Sequence, residues 1–329
     1  MELSELIIAL SNATKIGNID ETVDIIKDYL SPIEVKADEK GNITAFKKGK
    51  SDKTLLIDAH LDEVGFIITN IDKGFLTVSA IGGIDPRILK GQPVKIFGKK
   101  IVKGVFISTP PHLKKGDGTD TDINEIKVDT GLDDANKLIS LGDKAVLDIK
   151  ATKLLNNRIC GKALDNRAGV SSALYAFKNI KNPYYNLKLL LSSDEEIGCR
   201  GAVIGGYEAT PYKAIAVDVS FGDYPDIPSF KTRALGSGAM VGISPVLNYE
   251  MSKELIALDN NNTVEIMGAK TGTTADVLAL TKSGVKTALL SIPLRNMHTP
   301  VEVIDVNDVL SVSNLLIKYA ESEEKEWKN

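Results

Sequence analysis

The stretch at residues 187–201, LKLLLSSDEEIGCRG, joins an apolar run to three consecutive acids. The run from Leu187 to Leu191 is bounded by polar residues and is typical of a buried strand. A buried strand that delivers adjacent carboxylates to its end requires neutralising charge, which a metal ion provides. Because side chains alternate on extended backbone, Glu195 and Glu196 can take different roles, one on a metal and one on a water. For an isolated glutamate pair, a solvated loop is the alternative interpretation.

The composition is that of an ordinary globular protein. The 329 residues fit one or two domains, and 43% hydrophobic with 26% charged residues allow an ample core. With 40 basic and 44 acidic residues the net charge is −4. This balance leaves no broad basic face, so we expect neither nucleic acid nor a membrane surface as partner.

The cysteines and the N-terminal residues indicate the compartment. Cys160 and Cys199 are too few for a disulfide scaffold, and we interpret them as small packing side chains rather than a redox pair. The first residues combine an acid at position 2 with apolar residues at helical spacing, which predicts an amphipathic helix and not a signal peptide. No apolar run approaches the roughly 18 residues of a membrane span. We therefore expect a cytoplasmic protein.

The sequence pattern divides the chain into two kinds of region. In residues 1–64 and 157–329 apolar strands alternate with helical patterns, which predicts an α/β fold: a mainly parallel sheet with helices on both faces. Residues 65–156 contain short β-rich segments punctuated by glycines, with one helical candidate over 132–141, and predict a small barrel or sandwich. Because this segment carries none of the acid and histidine motifs, we interpret it as a domain inserted into the larger one.

Ionisable side chains stand where predicted strands end or helices begin. In a parallel sheet these ends gather at one edge. Two of the three histidines occupy such positions, whereas His112 lies in the polar loop at 109–124, which we interpret as solvated surface rather than a calcium loop. The candidates are His60 and Asp62 after a strand at 54–59, Asp165 starting a helix at 165–178, Glu195 and Glu196 after a strand at 187–193, Asp218 ending a strand at 214–218, and His298 after a strand at 287–292.

Carboxylates that converge in this way would repel one another and take up protons unless cations accompany them. The nearby basic residues Lys162, Arg167 and Arg200 are too few to compensate. Mixed imidazole and carboxylate ligands suit zinc or cobalt, with manganese as a further option. Two divalent cations about 3.5–4 Å apart, bridged by one carboxylate, would leave a position open for a hydroxide.

Five motifs follow one another along the chain: HLDEVG at 60–65, ALDNRAG at 163–169, DEEIGCRGA at 194–202, AVDVS at 216–220 and SIPLRNMHTPVEVID at 291–305. In this order they resemble the dinuclear-metal aminopeptidases of the tetrahedral, or TET, type. That group includes glutamyl and deblocking aminopeptidases and some proteins named cellulase or endoglucanase. The resemblance covers nearly the whole chain and implies a zinc-peptidase-like fold in which a PDZ-like β-barrel at 65–156 serves dimerisation, with dimers assembling into a hollow dodecamer.

The resemblance also implies a role for each candidate residue. Glu195 is the general base, and Asp62 orients His60. Asp194 and the stretch TGTTADV at 271–277 depart from the usual pattern of the relatives, and neither departure removes a ligand. The implied ligands are Asp165 to both metals, His60 and Asp218 to one metal, and Glu196 and His298 to the other.

The implied reaction is hydrolysis of the first peptide bond of a peptide with a free N-terminus. A water activated by two metals attacks the carbonyl, and Glu195 takes its proton and returns it to the departing amine. Three alternatives stay open: another metal-dependent amidohydrolase such as a carboxypeptidase or deacylase, a glucanase that needs two carboxyl groups and no metal, and an oligomeric scaffold with a vestigial site.

Overall fold

The computed structural model describes residues 1–108, 112, 123 and 126–323. They form an 11-stranded sheet with helices on both faces, a closed six-stranded barrel and a small two-stranded sheet. None of the helices in these residues is long and apolar enough to cross a membrane.

In chain order the elements are α1 (Leu3–Asn12), β1 (Lys15–Ile16), β2 (Ile19–Asp20), α2 (Val23–Leu30), β3 (Val35–Ala37), β4 (Ile43–Lys47), β5 (Thr54–His60), β6 (Gly65–Asp72), β7 (Phe75–Ile81), β8 (Pro93–Phe97), β9 (Ile101–Phe106), β10 (Lys127–Asp129), β11 (Lys144–Leu147), β12 (Thr152–Lys153), β13 (Arg158–Gly161), α3 (Leu164–Asn179), β14 (Asn186–Ser192), α4 (Arg200–Ala209), β15 (Lys213–Phe221), β16 (Met240–Ile243), α5 (Tyr249–Leu258), β17 (Thr263–Ile266), α6 (Ala275–Leu278), β18 (Lys286–Arg295), β19 (Glu302–Asp305) and α7 (Val306–Glu321).

The centre of the 11-stranded sheet is parallel. Strands β18, β15, β5 and β14 lie side by side in this order and run in the same direction. They are apolar on both faces because helices cover both. The flanking strands β12, β13, β19, β4 and β3 pair antiparallel. The predicted α/β fold class is confirmed, with parallel pairing concentrated in the strands that end at the candidate residues.

Alternate residues of the central strands enter two separate cores. Ile57 and Leu189 belong to one cluster with residues of α1, α2, α3 and α7. Leu56 and Leu190 belong to another, with residues of α4 and α6. Full burial of one such side chain contributes about 1.5–3 kcal/mol. The strand ends are therefore fixed from both faces of the sheet.

The barrel lies between β5 and β13 in the sequence and consists of β6 to β11. Its core is a cluster of its own, which includes Phe66, Val94 and Phe106. This confirms the predicted small barrel. Strand β12 already pairs with β13 in the main sheet, a few residues before the boundary predicted at 156. Within the loop at 109–124 the structure describes only His112, which is exposed as predicted, and Ile123; the rest of that loop and its interpretation lie outside the described residues.

The helix predicted over 132–141 is wrong. Only a 3-10 turn at Ala135–Lys137 forms there, and the Asp134 side chain closes it by accepting the Asn136 N–H. Leu132, Leu138 and Ile139 all pack against the barrel core, so their helix-like spacing reflects a turn that follows the barrel wall. The other predicted helices and strands are present within a few residues of their predicted bounds.

Gly201 allows α4 to lie directly on the end of β14. An added Cβ would lie 2.3 Å from Oδ1 of Asn42 and 2.4 Å from the carbonyl oxygen of Ser193. We therefore expect Gly201→Ala to lower the free energy of unfolding by about 1–3 kcal/mol, the usual cost of overpacking. Urea denaturation measures this loss.

The matched control is Gly268→Ala, because a Cβ added at Gly268 meets no atom within 4 Å. We expect the stability of this control to stay within about 0.5 kcal/mol of wild type. Equal losses in the two variants would contradict close packing as the reason for glycine at 201.

Candidate metal centre

The sheet brings all seven predicted site residues to one edge. This follows from the parallel direction of the central strands, whose carboxyl ends lie together. Strand β15 continues three residues beyond its predicted end, so Asp218 lies within the strand. The structure places His60 at the end of β5, Asp62 just after it, Asp165 at the start of α3, Glu195 and Glu196 after β14, Asp218 in β15 and His298 after β18.

Two groups of donor atoms share Asp165. In one group, Nε2 of His60 lies 3.1 Å from Oδ1 of Asp165 and 3.7 Å from Oδ1 of Asp218. In the other, Nε2 of His298 lies 3.2 Å from Oδ2 of Asp165 and 3.4 Å from Oε1 of Glu196. Within each group the donor atoms lie within 4.8 Å of one another. The two oxygens of Asp165 thus face different histidines, as a bridging carboxylate requires.

The start of α3 fixes Asp165 through its neighbour. The Asn166 side chain donates to the carbonyl oxygen of Val217 at 2.8 Å and accepts the N–H of Gly169 at 3.1 Å. The peptide bond between Asp165 and Asn166 is cis. Asn166 thereby ties the first turn of α3 to β15, the strand that carries Asp218.

Asp62 anchors the loop that carries both glutamates. Its Oδ1 accepts the N–H of Glu195 at 3.0 Å, and its Oδ2 accepts the N–H of Glu196 at 3.2 Å. Its Oδ1 also lies 3.6 Å from Nδ1 of His60, which is longer than a hydrogen bond. Asp62 therefore fixes the backbone of Glu195 and Glu196, a role that the sequence analysis missed. That Asp62 orients His60 stays a prediction.

Glu195 has different surroundings from the residues of the two groups. Its Oε2 lies 4.0 Å from Nε2 of His60, and its Oε1 accepts the thiol of Cys199 at 3.5 Å. It also forms a third, overlapping donor group with His60 and Glu196. Burial, partly offset by His60, raises the pKa of the Glu195 carboxyl to about 7. A carboxyl with such a pKa exchanges protons near neutral pH.

The electrostatics of the centre favour cations. Burial alone would lower the pKa of His60, but Asp165 and Asp218 hold this pKa well above its ordinary value. Hydrogen bonds to Asp165 and Glu196 raise the pKa of His298 to about 11. Burial raises the pKa of Asp218, so its negative charge lacks full compensation. Because the donors are imidazoles and carboxylates, the residues present fit zinc, cobalt or manganese.

The neighbouring basic residues do not supply that compensation. The Lys162 ammonium binds the Glu63 carboxylate, and Nη2 of Arg167 lies 3.5 Å from Oε1 of the same residue. All three side chains are buried. Arg200 is exposed. Lys162 and Arg167 thus both contact Glu63, whose single negative charge offsets one of their two positive charges and leaves at most one for the carboxylates of the centre.

Glu302 is a site residue to which the sequence analysis assigned no role. It lies on β19, 2% exposed, and its Oε1 accepts the N–H of His298 at 2.7 Å. Its Oε2 accepts the N–H of Asp165 at 3.1 Å. Burial, together with the charge of Asp165, raises the pKa of Glu302 well above its usual range. The available signal was its place four residues after His298, but most glutamates are exposed, so position alone carried little weight.

The barrel borders the centre through the corner that follows β7. A Cβ added at Gly82 would lie 3.1 Å from Oε2 of Glu196, and one at Gly83 would lie 3.2 Å from Nδ1 of His298. Gly82 also has a φ of +78°, which favours glycine. The absence of side chains at these positions allows the barrel backbone to approach two candidate ligands.

Comparisons with known proteins agree with this geometry. The family model for the M42 glutamyl aminopeptidase matches residues 41–315. A lysyl aminopeptidase of Pyrococcus furiosus is 33% identical over 317 residues, which cover 91% of this chain and 90% of that protein. The solved structure of a TET aminopeptidase from Thaumarchaeota archaeon SCGC AB-539-E09 has a TM-score of 0.91 at 25% identity and covers 97% of this chain and 96% of that chain.

A further solved structure shows the same fold. The TET1 peptidase of Pyrococcus horikoshii, described as able to assemble into a tetrahedron or a large octahedral shell, has a TM-score of 0.83 at 24% identity. The match covers 97% of this chain and 99% of that chain. The predicted family is thus confirmed by the family model, by sequence identity and by fold. The chain belongs to the M42 glutamyl aminopeptidase family.

Proposed function

We propose that this protein is a metalloaminopeptidase that removes the N-terminal residue from peptides at a centre of two divalent cations. The observation that carries the proposal is the shared carboxylate of Asp165, 3.1 Å from the nitrogen of one histidine and 3.2 Å from that of another. His60, Asp165 and Asp218 would hold one cation. Asp165, Glu196 and His298 would hold the other.

Bound cations supply Lewis-acid chemistry, since they lower the pKa of a water and polarise the scissile carbonyl. Glu195 lies outside the two groups that share Asp165, so its Oε2 can take the proton from the attacking water. The same carboxyl returns the proton to the departing amine. Asp62 holds the backbone of Glu195 by accepting its N–H. The excess of carboxylates favours a positively charged amino terminus over a blocked one.

The role of Glu195 gives a direct prediction. Glu195→Gln keeps the shape of the side chain and removes its ability to take a proton. We expect kcat to fall by about 100- to 10,000-fold, the usual contribution of a positioned general base. The cation content of the variant, measured by elemental analysis, is expected to equal that of wild type.

The control is Glu208→Gln on the exposed face of α4, which should retain full activity. If Glu195→Gln kept more than about a tenth of the wild-type rate, Glu195 could not be the general base.

The substrate class and the cation requirement can be tested together. Protein stripped by a chelator should be inactive and should recover with zinc, cobalt or manganese, because the donor set suits these ions. Recovered activity should release amino acids from aminoacyl-nitroanilides and leave their N-acetylated counterparts intact. Release of acetate from the acetylated substrates would favour a deacylase. Chelator-insensitive glucan hydrolysis would favour a glucanase.

For the barrel, the proposal is dimerisation. Residues 65–156 would form the dimerisation domain, and residues 1–64 and 157–329 the catalytic domain, with dimers assembling into a dodecamer. The separate barrel core supports this division. Ile101 and Val105 of β9 are 54% and 39% exposed and offer apolar surface for a second copy. The assembly of the Pyrococcus horikoshii relative also supports it. The cytoplasmic location stays a prediction from the two cysteines, which are free.

Light scattering tests the assembly. We expect a mass of about twelve times the 35.5 kDa chain. Ile101→Asp should reduce this mass, because it places a charge on the apolar surface of the barrel. Phe46→Asp on β4 of the main sheet is the control, since Phe46 is also 54% exposed. A wild-type monomer, or equal masses for the two variants, would contradict dimerisation through the barrel.

A further inference from the structure

We propose that Glu302 is a positioning residue that fixes the backbone of two cation ligands, Asp165 and His298, relative to each other. This inference rests on the proposed two-cation centre and adds a residue outside its ligand set. Glu302 would act through these two ligands and would touch neither a cation nor the substrate.

The geometry assigns one oxygen of Glu302 to each ligand. Oε1 accepts the N–H of His298 at 2.7 Å, and Oε2 accepts the N–H of Asp165 at 3.1 Å. His298 follows β18 and Asp165 begins α3, so the carboxylate joins two segments that are far apart in the sequence. A shift of either segment would lengthen one of the two bonds. The side chains of these two ligands also lie close together, with Nε2 of His298 3.2 Å from Oδ2 of Asp165.

Glu302 forms no salt bridge with any residue that the structure describes, so its burial needs another explanation. A buried carboxylate is costly unless hydrogen bonds satisfy it. Glu63 is similarly buried, at 3% exposed against 2%, and its carboxylate is paired with Lys162 and Arg167. Glu302 is instead satisfied by two backbone amides, and both amides belong to candidate ligands.

Asp62 provides an independent parallel. Its two oxygens accept the backbone N–H groups of Glu195 and Glu196. The same device therefore occurs twice around one centre, once for the two glutamates and once for Asp165 and His298. Carboxylates that hold ligands in this way tune cation affinity without binding the cation.

The contacts of Glu302 are unequal with respect to the two donor groups. It holds two members of the group formed by Asp165, Glu196 and His298. It holds only the shared Asp165 of the group formed by His60, Asp165 and Asp218. Loss of Glu302 should therefore weaken the binding of one cation more than the binding of the other.

Glu302→Gln tests this asymmetry. The amide keeps the side-chain shape, but its NH₂ group faces a backbone N–H, so one of the two hydrogen bonds is lost. We expect the affinity of one of the two binding steps to fall by about 10- to 100-fold, the usual effect of such partners, and that of the other step to change little. Calorimetric titration of the metal-stripped full chain with Co²⁺ measures both steps, and the visible absorption of bound Co²⁺ reports the ligand geometry.

The matched control is Asp308→Asn. Asp308 is also fully buried and accepts two backbone amides, those of Gly236 and Gly238, each at 2.7 Å. Neither glycine is a candidate ligand. We expect Asp308→Asn to lower stability while leaving both Co²⁺ affinities and the Co²⁺ spectrum unchanged. Glu302→Asp is the second variant, because it keeps the carboxyl group but is too short to reach both amides; its loss of affinity should fall between wild type and Glu302→Gln.

Each outcome decides between the roles. Wild-type affinity and spectrum in Glu302→Gln and Glu302→Asp, with only a loss of stability like that of Asp308→Asn, would overturn the positioning role and leave the two-cation centre intact. Equal weakening of both binding steps would overturn the asymmetry and with it the assignment to one group. A wild-type protein that binds no divalent cation would overturn the proposed function together with the inference.

Discussion

Excess buried negative charge at one edge of the parallel sheet is the constraint on which the rest of the site depends. Two like charges 4 Å apart repel by about 4 kcal/mol at an effective dielectric constant of 20, and this edge gathers several carboxylates. The adjacent Lys162 and Arg167 both contact Glu63, which offsets one of their two positive charges. The two histidines of the centre moderate the charge, and their raised pKa values show how strongly the edge attracts positive charge. Divalent cations satisfy the same demand.

The scaffold meets this constraint with backbone amides as well as side chains. Asp62 and Glu302 each accept two N–H groups from residues of the centre. Amides of the main chain move less freely than lysine or arginine side chains, and they add no positive unit charge that would compete with a cation. The helices on both faces then hold the strands from which these segments emerge. The positions of the candidate ligands are thus fixed by neutral backbone N–H donors and by a rigid sheet.

The sequence predicted the parts of the fold that have long or strongly patterned signals. Apolar strands that end in acids, such as the run before Glu195, predicted both the central sheet and the residues at its edge. The four-residue strands β13 and β19 were missed, because so short a segment shows no clear period. The helix expected over 132–141 failed because three apolar side chains at helix-like spacing follow a barrel wall. Glu302 and the corner at Gly82 and Gly83 act through backbone proximity, which residue type alone does not encode.

The order of the ligands along the chain has a consequence for biosynthesis. The contact between His60 and Asp165 spans 105 residues, which include the whole barrel. A ribosome adds about 5–20 residues per second, so several seconds separate the synthesis of these two partners. The donor group of His60, Asp165 and Asp218 is complete once residue 218 has emerged, whereas the group that contains His298 needs another 80 residues of chain. A nascent chain therefore passes through a stage at which it contains every member of one donor group and still lacks His298 of the other.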